Sequence, residues 1–597
     1  MEVKERAQVP ERYTWDLSSM YADDGAFLAA LDAAQGMPGR LVEFKGHVGG
    51  SAQALLGFLE ERERCEVELA RLANYAERRA DEDTRIARYQ DFCARVTTLC
   101  VQVSSATSWF DAELLAMEPS RVEGLFAAEP ALEGWRRAIE RVLARRTHVL
   151  SPGQEALLAS AGELARQPEN VFSLFSDADL AFPDALDSEG EAHAVTHGTF
   201  VPLERSHDRT LRKNAYESLY GVYGQFKNTA AAMLASQVKT LKFFSDARHY
   251  GSAMEASLAA NEVPAEVYTN LIAAVHRNMD GMHRYVGLRK RLLGVDELHF
   301  WDVYVPMVHD FDMKFTYEEA CELILKALEP MGPDYLAIVR HGLAHRWVDV
   351  YENPGKRSGA YSAGGFGMQP VILMNFQGTL DDVFTLVHEM GHSVHTYLSC
   401  THQPARYSDY PIFVAEVAST CNEALLMHYM LEHAQSDAER AYLLDHHLEQ
   451  FKGTLYRQCM FAEFELEAGR MNARGEGLTA DALCALYRRL NEDYFGPEMA
   501  VDDQISLEWA RIPHFYYDHY VYQYATGYAA AIALSRRILN EGAPAVADYL
   551  GFLSGGCSKP PLELLRGAGV DMATPEPIDD ALGYFAQLID ELERLVG

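Results

Sequence analysis

Positive charge is scarce in this chain: 53 Lys and Arg stand against 87 Asp and Glu, a formal charge of −34. A surface of that sign repels phosphate backbones, so nucleic acid is not an expected partner. Paired cysteines are missing as well. Nine cysteines are scattered from Cys65 to Cys557 with no C-x-x-C pair, an odd and sparse set that makes no disulfide framework and fits a reducing compartment. Long apolar runs are absent. The most apolar stretch, around Ala529 to Leu534, falls far short of the roughly 20 residues a membrane span requires. The first residues, Met1 to Arg6, carry neither the apolar centre nor the small-residue cleavage site of a leader. The chain is therefore expected in the cytoplasm with no membrane partner. Fixed-period repeats and low-complexity segments are also lacking.

Helical periodicity is plentiful. From about Asp24 to Asn170 apolar residues recur at three- and four-residue spacing, as in Gln53 to Asn74 and Tyr89 to Met117. Turn signals such as Met37-Pro38-Gly39 and Ser151-Pro152-Gly153 separate the runs. Around Leu180 to Pro202 the texture changes to hairpins or loops, His197-Gly198-Thr199-Phe200 among them. A boundary there divides the chain into an N-terminal helical region, 1–190, and a second region, 191–597. Helices resume from Arg209 to about Leu293, and Leu298 to Pro306 reads as extended. A Gly-rich loop at Ser358 to Gly367 leads into the strand-like run Pro370 to Phe376. Thr379, Asp381 and Asp382 then offer capping chemistry for a helix running to about Ser399. The expected fold class is mainly α, with a small β-sheet beside this helix.

That helix carries His388-Glu389-Met390-Gly391-His392. Residues four apart share a helix face, so the two imidazoles can hold one zinc ion while Glu389 serves as general base. Zinc needs a third protein ligand. Glu416 lies in the apolar helical run Pro411 to Glu423, where an unpaired carboxylate would cost several kcal/mol. A metal removes that cost, so Glu416 is the third ligand. Glu423, two turns further on, can orient a ligand histidine. Gly391 gives space beside the metal. His395 reads as a core or supporting histidine, Met390 and Val394 as packing. Further on, His514 to Tyr528 holds six tyrosines in fifteen residues, more than packing requires. Neutral donors of this kind suit the negative charge that builds on a carbonyl oxygen during peptide hydrolysis. Spacing alone does not choose among them.

Taken together these segments resemble the M3 family of zinc metallopeptidases, in particular its oligoendopeptidase F group, kin to thimet oligopeptidase. The resemblance rests on His388 to His395, Phe413 to Ser419, the N-terminal run Val9 to Leu17, Gly359 to Ser362, Ile372 to Phe376 and His514 to Gly527. It implies one zinc ion on His388, His392 and Glu416, with Glu389 as base. It implies a large helical clam-like body with a deep channel, which limits substrates to short peptides cut internally. It also implies that the strand near Val371 to Phe376 pairs with the substrate backbone. His514 matches the family's histidine donor, and Tyr517 with Tyr524 match its seven-residue tyrosine spacing; a shifted alignment selects Tyr520 or Tyr528 instead.

Three rival readings use the same residues. A zinc carboxypeptidase or dipeptidase would need a cationic pocket for a terminal carboxylate, for which Arg406 and Arg511 are candidates. A di-iron bundle would need a second E-x-x-H; one exists at Glu204-Arg205-Ser206-His207, but Pro202 places it at a helix start, and its charged neighbours suggest exposure. A non-catalytic peptide-binding protein would have lost a ligand or Glu389, and neither is lost.

Overall fold

The computed structural model describes residues 4–596 apart from 309, 310 and 312. Met1 to Val3, the start of the segment read as lacking a leader, lie outside the described residues. The chain is mainly α, and no described helix is long and apolar enough to cross a membrane. The periodic run Gln53 to Asn74 is the centre of one helix, Ala52–Glu82, and Tyr89 to Met117 divides into Ala87–Thr107 and Trp109–Leu115. Two turn signals prove to be helix starts: Pro38 and Pro152 occupy first-turn positions of Met37–Val42 and Pro152–Ala165, where the missing N–H costs nothing.

The texture change near residue 190 is partly a hairpin, Ala185–Leu186 paired with Ala192–His193. His197 to Phe200, read as loop, instead opens a helix, His197–Glu204, because Thr196 Oγ1 caps the Thr199 N–H. Leu298 to Pro306 is extended only over Leu298–His299, which pairs with Met499–Ala500; a 3₁₀ turn follows at Phe300–Asp302.

Packing divides the chain into two compact units that interleave in sequence. The first comprises Met1–Val149, Met313–Tyr429 and Leu534–Gly569; the second comprises Leu150–Asp312, Met430–Ala533 and Val570–Gly597. This division differs from a single boundary at 190, which follows sequence texture and not packing.

In the first unit, Phe27 stacks on Tyr75 and Phe92, and Phe58 packs against Trp109 and Phe110. A three-stranded sheet completes it. Val371–Leu373 is the central strand, parallel to Val348–Asp349 and antiparallel to Tyr361–Ala363. The N-terminal run anchors the outer strand. Asp349, wholly buried, accepts from the Arg6 guanidinium at 2.8 Å and pairs with Lys356 at 2.7 Å, while Val350 N–H donates to Tyr13 O. Arg6 and Lys356 hold the Asp349 carboxyl below the usual carboxylate range despite burial, which pushes the other way.

The sheet overturns one expectation. Val371–Leu373 cannot pair with a substrate, since one side of the run donates from the N–H groups of Ile372, Met374 and Phe376 to Trp347, Asp349 and Val350, and the other side of Val371–Leu373 is taken by Tyr361–Ala363. The sheet's edge on the other side is Tyr361–Ala363 itself, inside what glycine content marks as a loop.

Candidate metal centre and active site

The motif stands on the helix Leu380–His402. Its start is a capping box: Thr379 Oγ1 accepts from Asp382 N–H at 3.2 Å, and Asp382 accepts from Thr379 N–H at 2.8 Å. Such a cap contributes about 1 kcal/mol, and the acidic pair Asp381 and Asp382 complements the helix dipole. Met390 and Val394 are fully buried, as packing residues should be. His395 is buried too and stacks on Tyr410 with ring centroids 3.6 Å apart; burial pulls its pKa down to about 3.

The second ligand-bearing helix, Ile412–His433, crosses the first at Gly391. A Cβ there would stand 2.6 Å from Ser419 Cα and 2.8 Å from Ala418 O. The glycine therefore serves the approach of the second helix rather than room for a metal, and that approach delivers Glu416 to the histidines. Two buried side chains fasten the crossing: Asn422 Nδ2 donates to Val387 O at 3.2 Å, and Tyr335 Oη donates to Asn422 Oδ1 at 2.8 Å.

Three donor atoms converge. His388 Nε2 and His392 Nε2 are 3.2 Å apart, and Glu416 Oε2 lies 3.4 Å from the first and 3.5 Å from the second. Zinc bonds of about 2.0–2.2 Å in tetrahedral geometry space neighbouring donors about 3.3–3.6 Å apart, so the trio forms one face of such a tetrahedron. Imidazole and carboxylate donors suit zinc chemically, and the fourth vertex is left to a non-protein ligand. The residues present fit the ion.

Around this face the charges are arranged. Glu423 Oε1 is 2.5 Å from His388 Nδ1, which fixes the ring with Nε2 toward the other donors. Burial pulls the His388 pKa down, but bonds to Glu416 and Glu423 outweigh it and raise it to about 10. Burial pushes the Glu416 carboxyl up, and the two histidines overcome that and hold it well below its ordinary value. Ser419 Oγ donates to Glu416 Oε2 at 3.2 Å. Glu389 is 8% exposed and lies deeper than the ligands; burial raises its pKa, while the histidines and the Ser362 backbone N–H restrain the rise. Ser362 belongs to the edge strand, and its Oγ lies 2.8 Å from Ser393 Oγ on the motif helix.

Ser362 and Ser419 stand at the ends of two segments that carry the family resemblance, but the sequence assigns them no role; Tyr335 and Asn422 lie outside those segments, and of these two only Asn422 leaves a trace, a polar amide beside Cys421 and Glu423 in an apolar helical run.

In the second unit, His514, Tyr517, Tyr520 and Tyr524 gather. Their rings lie 5.5, 6.5 and 5.9 Å from that of His514, and Tyr520 is 5.3 Å from Tyr524. Tyr517 is 43% exposed. Burial and the Arg457 charge lower the His514 pKa. The remaining tyrosines pack: Tyr516 stacks on Phe172, Tyr522 lies against Tyr268, and Tyr528 meets Phe451 edge-on.

The residues of the rival readings are placed differently. Glu204, expected at a helix start and exposed, is the last residue of its helix and fully buried, while His207 is exposed. Among the described residues they join no group of metal-ligating side chains. Arg406 is committed to Glu63 and to Gly134 O over the Trp135 ring, and Arg511 to Glu508 and Tyr220.

Known proteins share this arrangement of sequence. Residues 203–584 match the model of peptidase family M3, and residues 113–182 match that of oligopeptidase F. Oligopeptidase PepF of Bacillus subtilis is 44% identical over 595 residues, covering 100% of this chain and 89% of that protein. Group B oligopeptidase PepB of Streptococcus agalactiae is 40% identical, with 99% and 98% covered. The crystal structure of oligoendopeptidase-F from Enterococcus faecium superposes with a TM-score of 0.76 at 38% identity, over 96% of this chain and 99% of that one. The chain belongs to peptidase family M3 and is a peptide hydrolase.

Proposed function

We propose that this protein is a zinc-dependent oligoendopeptidase that cuts internal bonds of short peptides in the cytoplasm. The observation that carries the reading is the tetrahedral spacing of His388 Nε2, His392 Nε2 and Glu416 Oε2. Bound there, zinc supplies a Lewis acid that polarises the scissile carbonyl and brings the pKa of water to about 7. Glu389 takes a proton from the attacking water and returns it to the departing amine. A carboxyl whose pKa is raised by burial suits both halves of that exchange. Ser362 N–H steadies Glu389, Ser419 steadies Glu416, and Glu423 steadies His388. The outer edge of Tyr361–Ala363 takes the peptide backbone as an added strand, a mode that reads length more than sequence. His514, Tyr517 and Tyr524 act as neutral donors to the carbonyl oxygen as charge builds on it; clustering on the His514 ring supports Tyr517, Tyr520 and Tyr524 over Tyr528.

An endopeptidase is favoured over a carboxypeptidase because Arg406 and Arg511 are both held by carboxylates. Nine free cysteines support a reducing compartment. The test is a mixed peptide library incubated with the protein, with chelator, and with chelator followed by zinc, read by mass spectrometry. Internal cuts in short peptides that vanish with chelator and return with zinc are expected. Trimming from one end, or cleavage indifferent to chelator, overturns the proposal.

A further inference from the structure

Beside the strand Tyr361–Ala363 lies a groove of about 880 Å³, wholly within the first unit. One end of it reaches the candidate site. Ser362, whose N–H donates to Glu389, lines the groove, and so does Ala415, the neighbour of Glu416. From there the wall is continuous. A Cβ on Gly364 would stand 3.2 Å from Thr396 Cγ2, Thr396 Oγ1 lies 3.0 Å from Tyr410 Oη, and Asp409 precedes Tyr410 in the chain. Side chains alternate along a strand, so every second residue of a peptide added to this edge faces one way. On the groove side it meets the wall formed by Thr396, Tyr410 and Asp409.

The charges on that wall do not cancel. Its charged side chains are Glu63, Glu66, Arg406 and Asp409. Arg406, the one lining cation among the described residues, bonds Glu63 at 3.2 Å and Gly134 O at 2.8 Å. Glu66 pairs with Arg62 at 3.3 Å. Cys400 and Tyr410 add no charge, since burial raises both, the thiol to about 11. Asp409 is left over. Its carboxyl accepts the Tyr410 N–H and pairs with no cation among the described residues. The residue is exposed to the groove, yet the walls withdraw enough water to raise its carboxyl above the usual range. Three residues on, Ile412 lines the same groove and is 43% exposed. An apolar surface beside an unneutralised carboxylate suits a side chain with an aliphatic stem and a cationic head.

We propose that Asp409 sets a preference of this peptidase for lysine or arginine at one fixed distance from the scissile bond, the stem lying along Ile412 and the head at the carboxylate. This rests on the endopeptidase reading given above and adds a substrate class to it.

The test is an internally quenched, alanine-rich octapeptide with both ends blocked, in which a single lysine is walked along the chain. Norleucine and glutamate replace it at each place, and cut sites are read by mass spectrometry at about 0.15 M salt. Charges more than about 8 Å apart are largely screened there, so the general negative field of the protein does not distinguish one position from another. At one position lysine should exceed norleucine about fivefold to tenfold in kcat/KM, mostly through KM, and glutamate should fall below both. Asp409→Asn should bring the ratio of lysine to norleucine close to one, and Asp409→Glu should keep most of it. Equal rates for lysine and norleucine at every position, with internal cuts still made, overturn this proposal and leave the endopeptidase reading standing. A lysine preference that is the same at all positions, or one that survives in Asp409→Asn, also overturns it. Absence of internal cuts overturns both.

Discussion

Between Leu380 and Glu423 every candidate side chain stands on a regular helix, and their mutual positions follow from helical spacing plus one crossing at Gly391. Between His514 and Tyr524 the backbone changes form repeatedly. A 3₁₀ turn runs from Pro513 to Tyr516, Asp518 and His519 take left-handed conformations with φ of 55° and 57°, and a helix begins at Tyr522. Left-handed backbone costs a non-glycine residue about 1–2 kcal/mol, so this segment persists because neighbours hold it. Gln237 Nε2 donates to Tyr516 O and Asp518 Oδ1 at 3.2 and 3.1 Å, Ser257 Oγ donates to Asp518 O, and the His519 N–H donates to buried Glu465. The first region fixes its chemistry from within. The second borrows its geometry from residues far away in sequence.

If that contrast is right, the largest effect comes from the region that holds the base. Glu389→Gln should lower kcat by about 10³-fold or more, the upper range for a lost general base, while metal analysis still finds one zinc per chain. Near-normal turnover would remove Glu389 from its role, and loss of zinc would make it a ligand.

The same contrast explains what could be read from sequence. His388, Glu389, His392, Glu416 and Glu423 were legible because helical periodicity converts spacing into direction, and because a carboxylate in the apolar run around Glu416 demands a partner. The helical class and the cap at Thr379 were legible for the same local reasons. The edge strand Tyr361–Ala363 was not, since glycines on both sides mask three residues whose pairing partner lies ten residues on. Glu204 was misplaced because exposure was inferred from charged neighbours in sequence, whereas its surroundings are Tyr216, Arg212 and Arg511 from elsewhere. The tyrosines could be counted but not sorted. Sorting them requires the turn at Asp518 and His519; Asp and His are among the few side chains enriched in left-handed backbone, but that preference alone does not place two consecutive residues there.

The next effect tests that sorting. Tyr524→Phe should lower kcat by about 10²–10³-fold with little change in KM, as expected when a donor to a developing oxyanion is lost. Tyr528→Phe should leave kcat near normal, because that ring packs against Phe451. A Tyr517→Phe variant with unchanged kcat, beside a Tyr520→Phe variant that is slowed, would transfer the second donor role to Tyr520.

A smaller change is expected at the support of the metal. Glu423→Gln keeps shape but weakens the grip on His388 Nδ1, and loss of such a partner typically costs about 10–100-fold in metal affinity. Competition with a graded chelator series measures it directly. An unchanged affinity would mean that helix geometry alone orients His388, which would sharpen the contrast further.

The smallest effect on turnover at neutral pH, but the most direct test of borrowed geometry, concerns His519. Burial pulls its pKa down to about 4, against about 6.5 in an unfolded chain. Its stability contribution is therefore complete above pH 6.5, where both states are neutral. It is lost as pH falls from about 6.5 to about 4, because the unfolded chain gains a proton that the folded one resists. The difference corresponds to about 3 kcal/mol once the pH is below both values. Asparagine tolerates left-handed backbone and does not titrate, so His519→Asn should flatten that part of the acid destabilisation seen in denaturant unfolding of the full chain. A variant whose stability falls just as steeply between pH 6.5 and 4 would place the titrating load on other buried histidines, such as His395 or His447, and would leave the turn at Asp518 and His519 held by its hydrogen bonds alone.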